Sequence, residues 1–323
     1  MPLPARYPLC VLPTPMHPLP RLSRMLGAEV WIKRDDLTGF VGGGNKGRKL
    51  EYLASHVVET DADTMVVCGS LQSNFVRSAG GLCAMLGIRC VAVVMALPYE
   101  AEFGRPDGHP PDEGGNVELD RILGVQLEMV SDGPWEVLFN AAADIADRER
   151  ASGHTVYEVP IGGSSPLGAY GFVEAAAEVQ KRFDHIVVPT SSGSTHAGLA
   201  WHYHGSSTQV HGIACDPEPD LLDDVVRLCA GLDEMHGQGK RIEPGGLLLH
   251  RDWVGPGYGV PSEVGQAALK RLAREEGVFL DPVYSAKAMS GLIGLAAQGA
   301  LSGRILFWHT GGFPTVCAPG AGG

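Results

Sequence analysis

The sequence lacks any apolar run long enough to cross a bilayer. A membrane-spanning helix needs about 20 consecutive apolar residues, and no stretch of the 323-residue chain approaches that length. The first residues also lack the basic-then-apolar order of a secretory leader. We therefore expect a cytoplasmic protein that has no membrane partner.

Positive charge is also scarce. Lys and Arg total 25 against 37 for Asp and Glu, which gives a formal net charge of −12 at neutral pH. Nucleic-acid affinity rests on clustered cations that neutralise phosphates. The charge balance therefore predicts no nucleic-acid partner.

Metal-ligand spacing is missing as well, because the 7 cysteines include no Cys-x-x-Cys pair. Four cysteines lie in apolar segments and are expected to be small buried side chains: Cys68, Cys83, Cys90 and Cys215. His202, His204 and His211 form a candidate metal site or a surface cluster. No Cys or carboxylate stands near them at ligand spacing, so we predict no metal.

Glycine, by contrast, is abundant. The chain has 44 glycines, about twice the usual ~7%, and they follow no collagen-like period. This composition favours tight turns and close approaches of the backbone to a ligand. Residues 100–115, rich in Pro, Gly and charge, predict an exposed loop, and residues 319–323 are expected to fray.

Short β-rich runs alternate with helical patterns, which favours parallel sheet with helices on its faces. The predicted strands are 64–69, 89–95, 125–130, 155–160, 185–190, 209–215 and 304–309. The predicted helices are 46–60, 74–86, 135–151, 168–183, 262–276 and 285–298. The fold class is therefore α/β.

Residues 31–53 contain a glycine turn, Gly42-x-Gly44-x-x-Gly47, which satisfies the dinucleotide-binding expression. That expression also requires a leading hydrophobic strand. Residues 33–36 are charged and are expected to interrupt such a strand. A nicotinamide site is therefore a remote alternative, and no Gly-Lys is followed by Ser or Thr, which excludes a P-loop.

Lys46 follows this turn at the start of the helix predicted over 46–60. A helix N-terminus disfavours an ammonium group, and partial burial lowers the pKa in the same direction. The neutral amine that results is what Schiff-base chemistry needs. The alternative is an amphipathic helix whose basic residues, such as Lys49, lie on its wet face.

Two further strand-to-helix junctions carry polar side chains. Gln72, Ser73 and Asn74 offer side-chain donors and free helix amides, an anion site of carboxylate size, although Ser and Asn are also ordinary N-caps. Residues 190–198 place five hydroxyls and Gly193 at the start of a helix, which suits a phosphate. The alternative is a polar loop. Residues 280–287 and 308–312 also lie at element junctions, where sheets collect ligands.

Together these segments resemble the family of pyridoxal 5′-phosphate enzymes that contains D-cysteine desulfhydrase and 1-aminocyclopropane-1-carboxylate (ACC) deaminase. The motifs run in order along the chain as KRDDLTG, GGNKGRKLEYL, QSN, PIGGSSPLGAYGF, SGSTHAG, GPGYGVPSE, DPVYSAKAM and HTGG. The resemblance implies the fold of the tryptophan synthase β subunit, with two open, twisted, mostly parallel sheets and flanking helices. It also implies a large cofactor-binding domain (1–50 and 158–323), a small domain (51–157) and a homodimer.

The resemblance assigns roles to individual residues. Lys46 would bind pyridoxal phosphate covalently, and Asn74 would donate to the oxygen on its ring. The substrate carboxylate would bind at Ser73, Asn74 and Phe75. The remaining cofactor-binding positions are Asn45, Ser192, Gly193, Ser194 and Thr195, which include the phosphate site, with Tyr284, Ser285 and Thr310. Lys46, Ser73, Tyr258 and Tyr284 form the predicted catalytic set.

Two positions separate the activities of the family. The deaminases have Glu and Leu where this chain has Ser285 and Thr310, which is the desulfhydrase-like pattern. A hydroxyl facing the pyridine nitrogen cannot keep it protonated as a carboxylate can, which suits elimination of an easy leaving group. The predicted reaction is conversion of D-cysteine to pyruvate, sulfide and ammonia.

Other outcomes stay open on this scaffold. ACC deamination would give 2-oxobutanoate, and L-cysteate or β-chloroalanine would release sulfite or chloride. A binding protein without turnover is a further alternative. Phe75, Leu71, Gly47 and residues 96–115 depart from the family pattern and bear on the choice of leaving group.

Overall fold

The computed structural model describes residues 4–319, so residues 320–323 of the expected frayed end lie outside it. The strands are β1 (Met16–Pro18), β2 (Glu29–Arg34), β3 (Thr64–Ser70), β4 (Arg89–Met95), β5 (Gln126–Met129), β6 (Val156–Glu158), β7 (His185–Thr190), β8 (Gln209–Ala214), β9 (Leu248–His250) and β10 (Arg304–His309). The helices are α1 (Pro20–Leu26), α2 (Lys46–Glu59), α3 (Asn74–Leu86), α4 (Gly115–Ile122), α5 (Trp135–Ala151), α6 (Pro166–Ala177), α7 (Ser194–Tyr203), α8 (Leu221–His236), α9 (Glu263–Glu276), α10 (Ser285–Ala297) and α11 (Phe313–Val316).

The larger sheet has six strands in the order β1-β2-β10-β7-β8-β9. Its pairs are parallel except β1 with β2. Strand β2, from the beginning of the chain, pairs with β10, from its end, and Val30 lies opposite Ile305. The two ends of the sequence therefore build neighbouring strands of one sheet.

The smaller sheet has four parallel strands in the order β5-β4-β3-β6. Every residue of β3 is buried, as expected for a parallel strand that is covered on both faces. The carboxyl ends of β3 and β7 are followed by the N-termini of α3 and α7. This arrangement confirms the predicted class of two mostly parallel sheets with flanking helices.

Helix α2 belongs to both halves of the molecule. Leu50 and Leu53 pack in the cluster that contains Val67 of β3, whereas Tyr52 packs edge to face on Tyr170 of α6. The expected domain boundary between residues 50 and 51 falls inside this helix.

All seven predicted strands are present with small shifts at their ends, but β1, β2 and β9 were not foreseen. The expectation that residues 33–36 interrupt a strand was wrong for Lys33 and Arg34. Asp35 and Asp36 follow the strand in a short 3₁₀ helix, whereas Lys33 and Arg34 complete β2. Lys33 is tolerated there because its ammonium donates to Thr14 O at 2.8 Å and pairs with Glu178 at 2.5 Å. A partner 145 positions away thus permits a buried charge.

The helix predicted over 168–183 is α6, which begins at Pro166 on the N-cap Ser165 and ends at Ala177. The prediction of an exposed loop holds for residues 100–114, which contain no helix or strand and are largely exposed. Within residues 4–319, no helix is long and apolar enough to cross a membrane.

The four cysteines expected to be buried are buried. The surface-cluster interpretation was wrong for His211, which is 4% exposed. Its two ring nitrogens lie 3.0 Å from His185 and 3.1 Å from His250, across β7, β8 and β9. No group of three metal-ligating side chains was found in the part of the chain that the structure describes.

Candidate active site

One cavity collects almost all of the predicted site residues. Its walls include Asn45, Lys46, Ser73, Asn74, Phe75, Ser192, Gly193, Ser194, Thr195, Tyr258, Tyr284 and Thr310. They come from both sheets, since α3 follows β3 and α7 follows β7. Ser285 is the one predicted residue that does not line this cavity.

A strained glycine turn places Lys46 at the cavity. Gly43 has φ 81, and a Cβ there would lie 2.0 Å from Asp36 O, so only glycine fits. Asn45 precedes the helix, and its Nδ2 donates to Thr195 Oγ1 at 3.1 Å. Lys46 then begins α2, as predicted.

Burial lowers the pKa of Lys46 to about 8. A buried ammonium loses its hydration, so the neutral amine becomes accessible closer to neutral pH than for an exposed lysine. This is the condition under which a lysine acts as a nucleophile or a base.

Lys49 does not lie on a wet helix face, so that alternative was wrong. Lys49 is 1% exposed, lines the same cavity and donates to Gly162 O at 2.8 Å. Burial and the charge of Lys46 lower the pKa of Lys49 well below its usual range. Two amines therefore lie at this end of the cavity.

The hydroxyl of Ser73 caps α3. Its Oγ accepts from Phe75 N at 3.2 Å and Val76 N at 3.3 Å, so the N-cap alternative describes this geometry correctly. The same hydroxyl lines the cavity and keeps its own hydrogen for donation. Phe75 contributes an apolar ring to the wall and is 2% exposed.

The loop between β7 and α7 forms a polar cradle. Gly193 has φ 82, and Ser194 begins α7. Ser164, which was not predicted as a site residue, lies 2.7 Å from Ser192 Oγ and 2.9 Å from Ser194 Oγ. The cradle thus combines a helix N-terminus with converging hydroxyls, the donor set that suits an anion of phosphate type.

Gly162 forms the floor between this cradle and the lysine. Its φ is 61, and a Cβ at this position would lie 2.6 Å from Ser192 Oγ and 3.8 Å from Lys46 Nζ. The absence of a side chain leaves the space between the hydroxyl group and the amine open to a ligand.

Two tyrosines, Tyr258 and Tyr284, also line the cavity. Tyr258 Oη lies 2.5 Å from Tyr284 Oη and 3.2 Å from Ser70 Oγ. Burial raises the pKa of Tyr258, and burial with the neighbouring Tyr258 raises the pKa of Tyr284 well above its usual value. Both phenols therefore keep their protons at neutral pH and can donate them. Ser70, which joins this chain of hydroxyls, was not predicted.

Ser285 lies behind the cavity wall. It is fully buried, and its hydroxyl donates to Asp281 Oδ1 at 2.5 Å. Thr310 lines the cavity, where its carbonyl accepts from Asn45 N at 2.9 Å. The hydroxyl of Ser285 is therefore committed to a carboxylate as a donor, and any other partner must donate to it.

An adjoining cavity shares Trp135, Ser191 and Ser192 with the first and is acidic. Burial and neighbouring carboxylates raise the pKa of Glu100 to about 7 and that of Glu218 to about 8. The cavity is lined by six carboxyl groups and one cation, Arg227, and this excess of acidic groups favours a negative local potential. Such a potential disfavours substrates that carry extra negative charge.

Comparison with known proteins agrees with this geometry. The family model described as "Pyridoxal-phosphate dependent enzyme" matches residues 8–311. D-cysteine desulfhydrases of Klebsiella pneumoniae and Salmonella newport are each 38% identical over 324 residues, covering 97% of this chain and 95% of the relative.

Solved structures with a similar fold agree with this family match. The crystal structure of an ACC deaminase homologue is 33% identical with a TM-score of 0.88, covering 98% of this chain and 94% of that one. An L-serine ammonia-lyase from Rhizomucor miehei has a TM-score of 0.64 at 16% identity, covering 94% of each chain, and shares the fold. The remote nicotinamide alternative is therefore wrong.

Proposed function

This chain belongs to the pyridoxal-phosphate dependent enzymes, and from that premise we propose that it is a lyase acting on D-cysteine. The reaction is α,β-elimination, in which D-cysteine and water give pyruvate, sulfide and ammonia. Full-length similarity to D-cysteine desulfhydrases supports this substrate. The observation that carries the proposal is the cavity itself, which holds the Lys46 amine and a pair of protonated tyrosines together.

The residues of the cavity fit pyridoxal phosphate. Ser192, Ser194 and the N-terminus of α7 supply donors for the phosphate, with Gly193 and Thr195 in the same loop. The open floor at Gly162 leaves room between that loop and the Lys46 amine, which would bind the aldehyde carbon. Asn74 would donate to the ring oxygen. Thr310 and Tyr284 would flank the ring. Ser285 does not line the cavity and its hydroxyl donates to Asp281, so it has no hydrogen left to donate to the ring nitrogen.

When bound, the cofactor withdraws electrons from the substrate and makes its Cα hydrogen acidic. Ser73 Oγ and the amides near Asn74 and Phe75 hold the substrate carboxylate. The Lys46 amine takes the Cα proton, because its lowered pKa makes it available as a base. The C–S bond then breaks with its electron pair on sulfur.

The tyrosine pair supplies the proton that sulfur needs. Tyr258 and Tyr284 share a 2.5 Å hydrogen bond, and their raised pKa values keep them protonated. A proton given by one phenol is replaced through the other. The cavity thus brings a base, the Lys46 amine, and a proton-donating pair, the two phenols, to one site.

ACC deamination is the second candidate, and the ACC deaminase homologue is the observation that favours it. Ser285 and Thr310 favour elimination instead, because neither supplies a carboxylate to the ring nitrogen. The acidic adjoining cavity also disfavours L-cysteate, whose sulfonate adds a negative charge. We further propose the domain boundaries given above and a homodimer; a cytoplasmic location stays a prediction.

A side-by-side assay of the holoenzyme tests the function. D-cysteine, L-cysteine, L-cysteate, β-chloroalanine, D-serine and ACC are supplied at equal concentration, and the keto acid product is identified. Pyruvate with sulfide from D-cysteine supports the proposal, whereas 2-oxobutanoate from ACC as the main product replaces it.

Lys46→Ala is the matched test of the amine. We expect loss of turnover and of the visible cofactor band that borohydride bleaches, with the fold retained. Lys181→Ala, at a half-exposed lysine outside the cavity, is the control and should behave as the parent chain. Full turnover by Lys46→Ala would refute the mechanism.

A further inference from the structure

Arg77 is a buried cation that the proposed mechanism does not use. It lies one turn after Asn74 on α3 and is fully buried. One terminal nitrogen donates to Asn74 Oδ1 at 2.9 Å and, at closer range, to Asn116 Oδ1. The other donates to Gly43 O at 3.0 Å. Three oxygen acceptors thus surround the guanidinium group.

These contacts fix the orientation of two side-chain amides. Arginine has donors only, so the atoms of Asn74 and Asn116 that face it must be oxygens. Asn116 therefore turns its Nδ2 toward Asn74 Oδ1, at 3.0 Å, and toward Gln72 O, at 2.7 Å. Asn74 Oδ1 accepts from both neighbours at once.

The Nδ2 atom of Asn74, unlike its Oδ1, has no hydrogen-bond partner within the described protein residues 4–319. Asn74 lines the cavity. With the oxygen held on the far side, the group that Asn74 can offer to a ligand is a donor. A flipped amide would leave Arg77 facing a second donor within a buried site.

We propose that Arg77 and Asn116 are positioning residues that hold Asn74 as a hydrogen-bond donor toward the ring oxygen of the cofactor. The inference rests on the proposed cofactor site. Because Arg77 is charged, it also polarises the Asn74 amide and strengthens the hydrogen bond that Nδ2 donates. The hydrogen bond from Arg77 to Gly43 O also connects Arg77 to the glycine turn that places Lys46.

The readout is the pKa at which the visible band of the holoenzyme titrates, measured by absorption without substrate. A donor that stabilises a negative ring oxygen lowers this pKa, so loss of the donor raises it. We expect Arg77→Met to raise it by about one unit, a tenfold change in the ionisation equilibrium. Asn116→Ala, which leaves the Arg77 donor in place, should raise it by a smaller amount.

Ser78→Ala is the matched control on the same helix. Ser78 is 1% exposed and donates to the backbone carbonyl of Asn74 at 2.9 Å. The variant therefore loses a buried contact to the Asn74 backbone but leaves the contacts of the Asn74 side-chain amide in place. The titration should not move. If Arg77→Met fails to fold, Asn116→Ala against Ser78→Ala decides the question.

Asn74→Ala separates positioning from a direct effect of charge. In that background, Arg77→Met should change the pKa no further, because the group through which it acts is gone. The same shift in both backgrounds, or no shift in folded Arg77→Met and Asn116→Ala, overturns the inference. A parent chain without a visible band that borohydride bleaches would instead overturn the proposed function.

Discussion

Asp35→Asn should destabilise the fold strongly, whereas the same change at the next residue should not. Asp35 is fully buried at the end of β2. Its Oδ1 accepts from Thr14 Oγ1 and Arg48, each at 2.8 Å. Its Oδ2 accepts from Arg48 Nε at 2.9 Å and Trp308 Nε1 at 2.7 Å. In all four hydrogen bonds the carboxylate of Asp35 is the acceptor.

An asparagine at this position must turn its NH₂ group toward two of those donors, whichever way the amide lies. Removing one partner of a buried ion pair costs about 3–5 kcal/mol. Arg48 keeps Glu178 at 2.7 Å, so we expect a loss near about 3 kcal/mol. At roughly 2–4 °C per kcal/mol, the melting temperature should fall by about 6–12 °C.

Asp36→Asn is the matched control. Asp36 pairs with Arg34 at 2.7 Å, but its side chain is 12% exposed whereas that of Asp35 is fully buried, so its loss should cost clearly less than the loss of Asp35. Denaturant unfolding of the holoenzyme at neutral pH, with thermal melts, compares the two variants. Equal losses in both would refute the assignment of the buried network.

The effect of Asp35 also has a pH dependence with a definite sign. Burial would raise the pKa of Asp35, but Arg48 and the other donors hold it below its usual value. The stabilisation from the ionised carboxylate is therefore present above the ordinary range of aspartate and is lost as the pH falls through the lowered value. The gap between the parent chain and Asp35→Asn should shrink in acid and stay constant above neutrality.

Three further predictions concern the cavity. Tyr258→Phe should lower kcat for sulfide release by about 10²-fold, as expected for loss of a general acid, while KM changes little; an unchanged kcat would exclude the tyrosine pair as proton donor. Gly162→Ala, at φ 61, should weaken pyridoxal phosphate binding by about tenfold, or about 1.4 kcal/mol, measured by titration of the apoenzyme. The control is Gly153→Ala at φ 94, where a Cβ meets open space, and it should leave the affinity for pyridoxal phosphate unchanged. Ser285→Glu with Thr310→Leu should depress sulfide release, and unchanged sulfide production would show that these positions do not set the reaction.

Periodicity in the sequence was enough to predict the central strands and the helices that follow them. It failed where long-range contacts compensate for local polarity. Lys33 suggested a break, yet Glu178 pairs with it and β2 continues. Lys49 suggested a wet helix face, yet the carbonyl of Gly162, from a distant segment, accepts from it and it is buried.

The site shows the same division. The motifs predicted 12 of the 22 residues that line the cavity, and many of these lie at a junction between a strand and a helix. Ser70, Ser164 and Arg77 were not predicted, because their roles depend on contacts with Tyr258, Ser192 and Asn116 that no local pattern encodes. Ser285 was predicted to contact the cofactor, but its place behind the wall follows from its bond to Asp281.

The pairing of β2 with β10 sets the order in which this protein can assemble on the ribosome. The four strands of the smaller sheet are contiguous in the sequence and can associate while the chain is still being translated. Val30 must wait for Ile305, a loop closure that spans most of the polypeptide. The cavity beside Lys46 therefore closes only after nearly the whole chain has emerged, and a nascent fragment that ends before β10 cannot hold the cofactor in the way the finished protein does.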